Sequence, residues 1–174
     1  KSERLVQGGK EASGKGSSTK RNKKNIAKFV VGNLEPYKLY LLGPGTTVKA
    51  IADELKVSKT LLGIDAVYNG DLVGSDVNEN EILQILKEYK NKEIIVTPIG
   101  GNGFIFGRGS KQFTPDVIRK VGTNNIRIIG DKSKIRELES LRVDTGDVDL
   151  DRELCGNFLV VTGYKEEVVM EVKC

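Results

Sequence analysis

The stretch LYLLGPGTTVKAIADEL, residues 39–55, decides the fold of this chain. It predicts a buried strand over 38–42, because a short apolar run is typical of a strand covered on both faces. A glycine–proline–glycine turn over 43–45 breaks that strand, and Thr46 or Thr47 is positioned to cap the helix that follows. The apolar stripe of this helix consists of Val48, Ile51, Ala52 and Leu55.

A strand that enters a helix through a glycine turn makes a binding site for anions. The free backbone N–H groups of the first helical turn and the positive end of the helix dipole point at one place. Threonine hydroxyls add donors and a lysine adds charge, so we predict phosphate contacts by Gly43, Gly45, Thr46, Thr47 and Lys49. The alternative is a connection that needs glycine only for its turn, since short glycine motifs are common.

Composition limits the classes of function. The chain has 174 residues, 38% of them hydrophobic and 30% charged, which suits one soluble globular domain. Its net charge is +4, but many cations lie before residue 30, and no basic patch is interleaved with aromatic residues. We therefore expect no nucleic-acid partner. No apolar run reaches membrane-spanning length, so we expect no membrane partner and a cytoplasmic location.

Histidine is absent from the sequence. Histidine-dependent triads and most zinc sites are thereby excluded, and proton chemistry is left to Asp, Glu or Lys. Cys155 and Cys174 have no metal-motif spacing, so we predict no metal site and no disulfide framework. The first methionine is Met170 and the sequence begins at Lys1, so we expect a piece of a longer protein.

The chain divides into two parts by composition. Residues 1–24 form a basic, Gly- and Ser-rich segment that we expect to be flexible, with a loop over 8–18, and 25–174 form the folded domain. Apolar residues at helical spacing predict a helix over 19–34. Its basic cluster is interpreted as a solvated face, with a phosphate-facing patch as the alternative. The cluster consists of Lys20, Arg21, Lys23 and Lys24.

Strands alternate with helices along the rest of the chain. We predict a strand over 60–64, a hairpin over 67–73 with its turn at Asn69-Gly70, and strands over 94–96 and 126–129. A short helix over 134–140, an acidic loop over 145–151 and a β-hairpin over 157–173 follow. The order predicts an α/β fold: a mostly parallel, doubly wound sheet with helices on both faces and a C-terminal β-hairpin.

A second glycine-rich loop, IGGNGFIFGRG at 99–109, follows the strand over 94–96. Right-handed crossovers bring the loops after the first and third strands to one edge of the sheet, where ligands bind. We therefore predict further contacts with a nucleotide or phosphorylated small molecule by Gly100, Gly101, Asn102, Gly103 and Arg108.

Four side chains at this edge have two interpretations each. Asp65 is predicted as a general base or a partner of a ribose hydroxyl, with a capping carboxylate as the alternative. Arg108 suits bidentate phosphate binding, or else a surface or subunit contact. Phe104 and Phe106 suit stacking on an adenine or nicotinamide ring, but their alternation favours the inward face of a short strand.

Four long blocks resemble a known family, in order and without large gaps. They are LLGPGTTVKAIADEL at 41–55, TLLGIDAV at 60–67, IIVTPIGGNGFIFGRGSKQFTPDVIRKVG at 94–122 and LRVDTGDVDLDREL at 141–154. They are similar to the C-terminal half of archaeal and bacterial ATP–NAD kinase-like proteins, including relatives associated with acetoin catabolism. The resemblance implies a longer enzyme that phosphorylates NAD to NADP from ATP or polyphosphate, with Mg²⁺. We also expect a homo-oligomer.

The sequence departs from the family at one motif. The family's Gly-Gly-Asp-Gly-Thr motif, which holds phosphates and the catalytic carboxylate, lies in its N-terminal half, and Gly8-Gly9-Lys10 is not that motif. The chain by itself is therefore expected to bind a nucleotide or phosphate without being a competent kinase. The alternatives are a sugar-phosphate isomerase or deaminase and a phospho-ligand sensor domain, because the glycine loops also resemble those of ribose-5-phosphate isomerases and glucosamine-6-phosphate deaminases.

Overall fold

A computed structural model describes the backbone of residues 2–107 and 110–174 and the side chains from residue 16 onward within those ranges. Arg108 lies outside the described residues, so its predicted phosphate contact stays a prediction. The elements are α1 (Ser2–Gly32), β1 (Leu39–Leu42), α2 (Thr46–Leu55), β2 (Asp65–Tyr68), β3 (Asp71–Gly74), α3 (Glu79–Glu88), β4 (Lys92–Val96), β5 (Phe104–Phe106), α4 (Pro115–Val121), β6 (Ile126–Ile129), α5 (Lys132–Glu137), β7 (Leu141–Val143), α6 (Val148–Glu153), β8 (Gly156–Gly163) and β9 (Glu166–Lys173).

Within the described residues, nine strands form one sheet in the order β3-β2-β1-β4-β6-β8-β9-β7-β5. The pairs β1–β4, β4–β6, β6–β8, β7–β9 and β5–β7 are parallel. The pairs β1–β2, β2–β3 and β8–β9 are antiparallel. The predicted α/β fold, with a mostly parallel sheet and a C-terminal β-hairpin, is confirmed.

Strand β1 is buried on both faces, as its apolar run predicted. Tyr40 and Leu42 pack against one layer of apolar side chains, while Leu39 and Leu41 pack against the other, because successive side chains in a strand point to opposite faces. The first layer comes from α1 and α2: Ile26, Ala27, Val30, Val48, Ile51 and Ala52. The second includes Ile82 and Leu86 of α3 and Val117, Ile118 and Val121 of α4.

The strand predicted over 60–64 is wrong. These residues form a loop, and β2 begins at Asp65 and runs antiparallel to β1, with Asp65 opposite Leu42. The physical reason is the carboxylate of Asp65, which accepts hydrogen bonds from Lys59 and Thr60 and so folds the loop back on itself. The hairpin that follows is confirmed, and Asn69-Gly70 has the positive φ angles of its predicted turn.

Three helices differ from their predicted bounds. Helix α1 begins at Ser2, so helical backbone replaces the loop predicted over 8–18, while the flexibility of 1–24 stays a prediction. Helix α5 begins two residues before the predicted 134–140. The predicted acidic loop contains α6, because Asp147 accepts the backbone N–H of Leu150 and acidic residues favour the first turn of a helix.

Cys155 and Cys174 form a disulfide, with Cα atoms 5.4 Å apart. The expectation that these cysteines build no disulfide framework missed this cross-link. The antiparallel register of β8 and β9, which sets Gly156 opposite Val172, brings the two flanking cysteines together. That register depends on strand pairing, which the cysteine spacing alone does not show.

Candidate functional site

The glycine turn after β1 is fixed by backbone hydrogen bonds and by close packing. Gly43 donates its N–H to the carbonyl of Ile95, and Gly45 donates its N–H to the carbonyl of Leu61, each at 2.9 Å. Gly45 has φ 110°, and a Cβ there would lie 3.0 Å from the Thr97 side chain. Glycine is therefore required by the turn, and the N–H groups of the two predicted glycines are already used within the protein.

Helix α2 begins without a side-chain cap. The expectation that Thr46 or Thr47 caps it is wrong, because the N-cap is Gly45 and no side chain makes a capping hydrogen bond there. The N–H groups of Thr46, Thr47 and Val48 have no acceptor within the helix, since the first such bond runs from Lys49 to the Gly45 carbonyl. By contrast, α3, α4 and α6 are capped by the side chains of Asn78, Thr114 and Asp147. The first turn of α2 is thus open to an anion.

A lysine from α1 reaches this open turn. Lys23 donates from Nζ to the hydroxyl oxygen of Thr46 at 2.8 Å. The interpretation of the basic cluster as a solvated face fits Lys20 and Lys24, which are exposed, but not Lys23. A sequence signal was available: Lys23 lies three and four residues before Ile26 and Ala27, on the helical face that packs against α2.

Sequence reasoning also missed a second lysine, on α5. Lys134 donates from Nζ to the carbonyl of Pro98 at 2.8 Å, in the connection that follows β4. Burial and then the neighbouring charge of Lys23 lower the pKa of Lys134 below its ordinary value. Neither lysine is paired with a carboxylate among the described residues. The charge of Lys23 acts on Lys134, so the two ammonium groups belong to one electrostatic cluster.

One carboxylate, Asp131 at the end of β6, belongs to the same cluster. It accepts a hydrogen bond from Asn22 of α1 at 2.9 Å and a short one from the Ser133 hydroxyl. Burial alone would raise the pKa of Asp131, but these bonds, the Lys134 backbone N–H and the charge of Lys23 outweigh it and lower the pKa. Asp131 is therefore ionised and ties α1 to the carboxyl end of the sheet.

A cavity of about 770 Å³ opens between α1 and α2 beside these groups. Its lining contains Thr46, four lysines and two carboxylates: Lys20, Lys23, Lys24, Lys49, Asp53 and Glu54. The predicted phosphate ligand Lys49 instead forms an ion pair with Asp53 at 3.1 Å, one helical turn along α2. Thr47 is 6% exposed, so Thr46 is the more accessible hydroxyl of the predicted pair.

Asp65, the predicted catalytic carboxylate, lies buried at the same edge. It pairs with Lys59 at 2.8 Å, and both side chains are 0% exposed. It also accepts from the N–H and hydroxyl of Thr60 and from the N–H of Asp76. Burial opposes its ionisation, but the hydrogen bonds from Lys59, Asp76 and Thr60 hold its pKa below the ordinary value. These contacts match the capping alternative, and the catalytic role stays a prediction.

The second glycine loop contacts the first glycine turn at Ile99, the residue with which the second loop begins. A Cβ on Gly45 would lie 3.1 Å from Cδ1 of Ile99, while the N–H of Ile99 bonds to the carbonyl of Phe104 and closes the loop. Gly103 is buried, and a Cβ there would lie 2.5 Å from the Ser140 carbonyl oxygen. The other predicted contacts, Gly100, Gly101 and Asn102, are exposed at the tip. Among the described contacts, none joins them to Thr46.

Neither a cluster of metal ligands nor a membrane-spanning helix is found among the described residues. The described residues contain no group of three or more His, Cys, Asp or Glu side chains that could hold a metal ion. In the same part of the chain, no helix is both long enough and apolar enough to cross a membrane.

The fold and the site define the class of this protein: a doubly wound α/β domain whose first glycine turn and uncapped helix α2 lie at the carboxyl edge of its parallel strands. A family model described as the ATP-NAD kinase C-terminal domain matches residues 38–172. The chain therefore belongs to the ATP-NAD kinase family through its C-terminal domain, and the predicted resemblance is confirmed. The family implies ATP and NAD as substrates. Searches of curated proteins and of solved structures each found no match.

Proposed function

We propose that this chain is the part of an NAD kinase-like phosphotransferase that binds a phosphate group of ATP or NAD at the N-terminus of α2. One observation carries the proposal: Lys23 of α1 donates to Thr46 at the uncapped first turn of α2, and the charge of Lys23 acts on Lys134 of α5. Free N–H groups, a hydroxyl and two ammonium groups are the donors that bind a phosphate dianion.

Each donor has a distinct role in this proposal. The N–H groups of Thr46, Thr47 and Val48 bind phosphate oxygens, and the helix dipole adds roughly half a positive charge at that point. The Thr46 hydroxyl is exposed and turns from Lys23 toward the ligand. Lys23 and Lys134 neutralise the phosphate, which removes the repulsion between them. The turn over 43–45 brings the ligand close to backbone atoms.

In this proposal the chain binds a phosphate, and neither Asp131 nor Asp65 acts as a catalytic base. The oxygens of Asp131 accept from Asn22 and Ser133, and those of Asp65 accept from Lys59, Thr60 and Asp76. Mg²⁺ and polyphosphate belong to the full-length enzyme in this account, with the ion carried by the nucleotide. A cytoplasmic location and a homo-oligomer are part of the same proposal.

Calorimetric titration of the chain with ATP, NAD and adenosine tests it. We expect ATP and NAD to bind and adenosine to bind more weakly than either, because adenosine lacks the phosphate. A parallel assay incubates the chain with ATP, NAD and magnesium and measures NADP, and we expect none from this chain by itself. Adenosine binding as tightly as ATP contradicts the phosphate site, and turnover of ribose 5-phosphate favours the isomerase alternative.

A further inference from the structure

An apolar cavity of about 440 Å³ lies beside the glycine turn, next to Pro44. Apolar side chains from the loop over 59–64, from the second glycine loop and from β5 form most of its wall. They include Leu62, Ile64, Ile99, Phe104 and Phe113. Its volume and lining are those of a pocket for a small organic group.

The apolar wall of this cavity reaches solvent. Leu62 is 83% exposed and Ile99 is 48% exposed, which is unusual for neighbouring large apolar side chains. Phe104 is half-buried and lies against the cavity, whereas Phe106 is 2% exposed and packs edge-to-face on Phe113. Two phenylalanines were predicted to stack on a ligand ring. Phe106 belongs to the core, and the side chain of Phe104 is available for stacking.

The cavity is adjacent to the proposed phosphate site but has the opposite chemistry. Pro44 lines the apolar cavity, and Thr46 lines the lysine-rich one between α1 and α2. The two residues are two positions apart, so about 7 Å at most separates their Cα atoms. A ribose ring spans a gap of this size. Lysines suit the phosphate, and apolar and aromatic side chains suit a planar base.

We propose that the cavity beside Pro44 binds the base of the nucleotide whose phosphate lies at the N-terminus of α2. This inference rests on the proposed function. The base stacks on Phe104 and contacts Ile99 and Leu62, and the Gln112 side chain offers an amide donor and acceptor to its edge. The ribose crosses the turn between Pro44 and Thr46.

The test compares AMP with ribose 5-phosphate, which carries the same phosphate and no base. We expect AMP to bind more tightly to the wild-type chain, and Phe104→Ala to weaken AMP about tenfold, the size of one base–aromatic contact, without changing ribose 5-phosphate. Leu62→Ala, at an exposed position with little risk to folding, should weaken AMP in the same selective way. Val169→Ala, an exposed apolar position on β9, is the matched control and should change neither ligand.

The outcomes separate the two proposals. Equal affinity for AMP and ribose 5-phosphate, unchanged in Phe104→Ala and Leu62→Ala, overturns the base site and leaves the phosphate site standing. Binding of neither ligand overturns both. If Phe104→Ala is unfolded by circular dichroism, the Leu62→Ala comparison decides between the two results.

Discussion

Lys23 of α1 and Thr46 of α2 are joined by a hydrogen bond of 2.8 Å from Nζ to Oγ1. The region that matches the family model, 38–172, contains Thr46 but not Lys23. Asn22, which binds Asp131, also lies before that region. The proposed phosphate site is therefore built from family residues together with a helix that precedes the matched domain.

Replacing Thr46 with Val should weaken phosphate binding. The change keeps the shape of the side chain and removes the one exposed hydroxyl at the first turn of α2. Loss of one hydrogen bond to a charged group costs about 1.5–3 kcal/mol, or roughly ten- to a hundredfold in affinity. Calorimetric titration with AMP measures it, with Thr123→Val as the matched control. Equal affinity of a folded Thr46→Val variant and the wild type would show that Thr46 does not bind phosphate.

Lys134 should make phosphate binding sensitive to alkaline pH. Its pKa lies below the ordinary 10.5, so its positive charge, present below that pKa, is lost earlier than in an ordinary lysine as the pH rises. AMP carries its full charge above about pH 7, because the second pKa of a phosphate is about 6. Affinity should therefore begin to fall at a lower pH than the ordinary lysine value of 10.5, by up to the roughly 1.5–3 kcal/mol of one hydrogen bond to a charged group.

Two variants assign that pH dependence. Lys134→Arg keeps its charge at every pH of the titration and should flatten the profile. Lys23→Gln removes the neighbouring charge and should shift the profile to higher pH, while Lys28→Gln, at an exposed position of α1, should not move it. A profile that is the same in Lys134→Arg and in the wild type contradicts the role of Lys134.

Asp65→Asn should destabilise the fold and weaken phosphate binding through the loop over 59–64. The change leaves the charge of Lys59 buried without a partner, which typically costs about 3–5 kcal/mol. It should also displace Leu61, whose carbonyl accepts the Gly45 N–H. Urea denaturation measures the loss of stability, and Asp71→Asn, an exposed position on β3, is the control.

The pH dependence of stability gives a second readout of Asp65. Because its native pKa lies below the ordinary 3.8, it contributes stability above pH 3.8 that is lost as the pH falls through the native pKa. Asp65→Asn should lack this acid-dependent part. If Asp65 is instead a catalytic base without a structural role, the variant should keep wild-type stability and ligand affinity.

Asp147 should titrate with a pKa of about 2. Arg119 of α4 donates to both of its oxygens, at 2.6 and 3.3 Å, and the N–H of Leu150 adds a third bond at the start of α6. Since the native pKa is depressed, this pairing stabilises the fold above the ordinary value of 3.8 and is lost between that pH and about 2. Carboxyl chemical shifts measured by NMR report the midpoint, and Arg119→Gln should raise it; an unchanged midpoint contradicts the pairing.

The elements that the sequence predicted best are those whose signals are local. The apolar run of β1 and the Asn69-Gly70 turn each lie within a few residues, and both are present in the structure. The junction between the glycine turn and helix α2, at Gly45 and Thr46, was also predicted from the residues of that stretch alone. These features depend on backbone preferences that neighbouring residues determine.

What the sequence did not show depends on contacts between distant residues. Asn22 and Asp131 are 109 positions apart, and Lys23 and Thr46 are 23 apart. Lys134 joins the site only because β6 lies beside β4 in the sheet, an order that periodicity does not reveal. The apolar residues over 60–64 predict a strand, but these residues form a loop whose conformation depends on the buried carboxylate of Asp65.

The central claim is that a phosphate binds at the N-terminus of α2, and amide chemical shifts test it most directly. The ¹⁵N-labelled chain is titrated with AMP and followed by two-dimensional NMR. We predict that the largest saturable shifts fall on the amides of Thr46, Thr47 and Val48. The largest shifts at the lysine-rich opposite edge, around Lys90 and Lys92, or no saturable shift at Thr46 to Val48, would contradict the account.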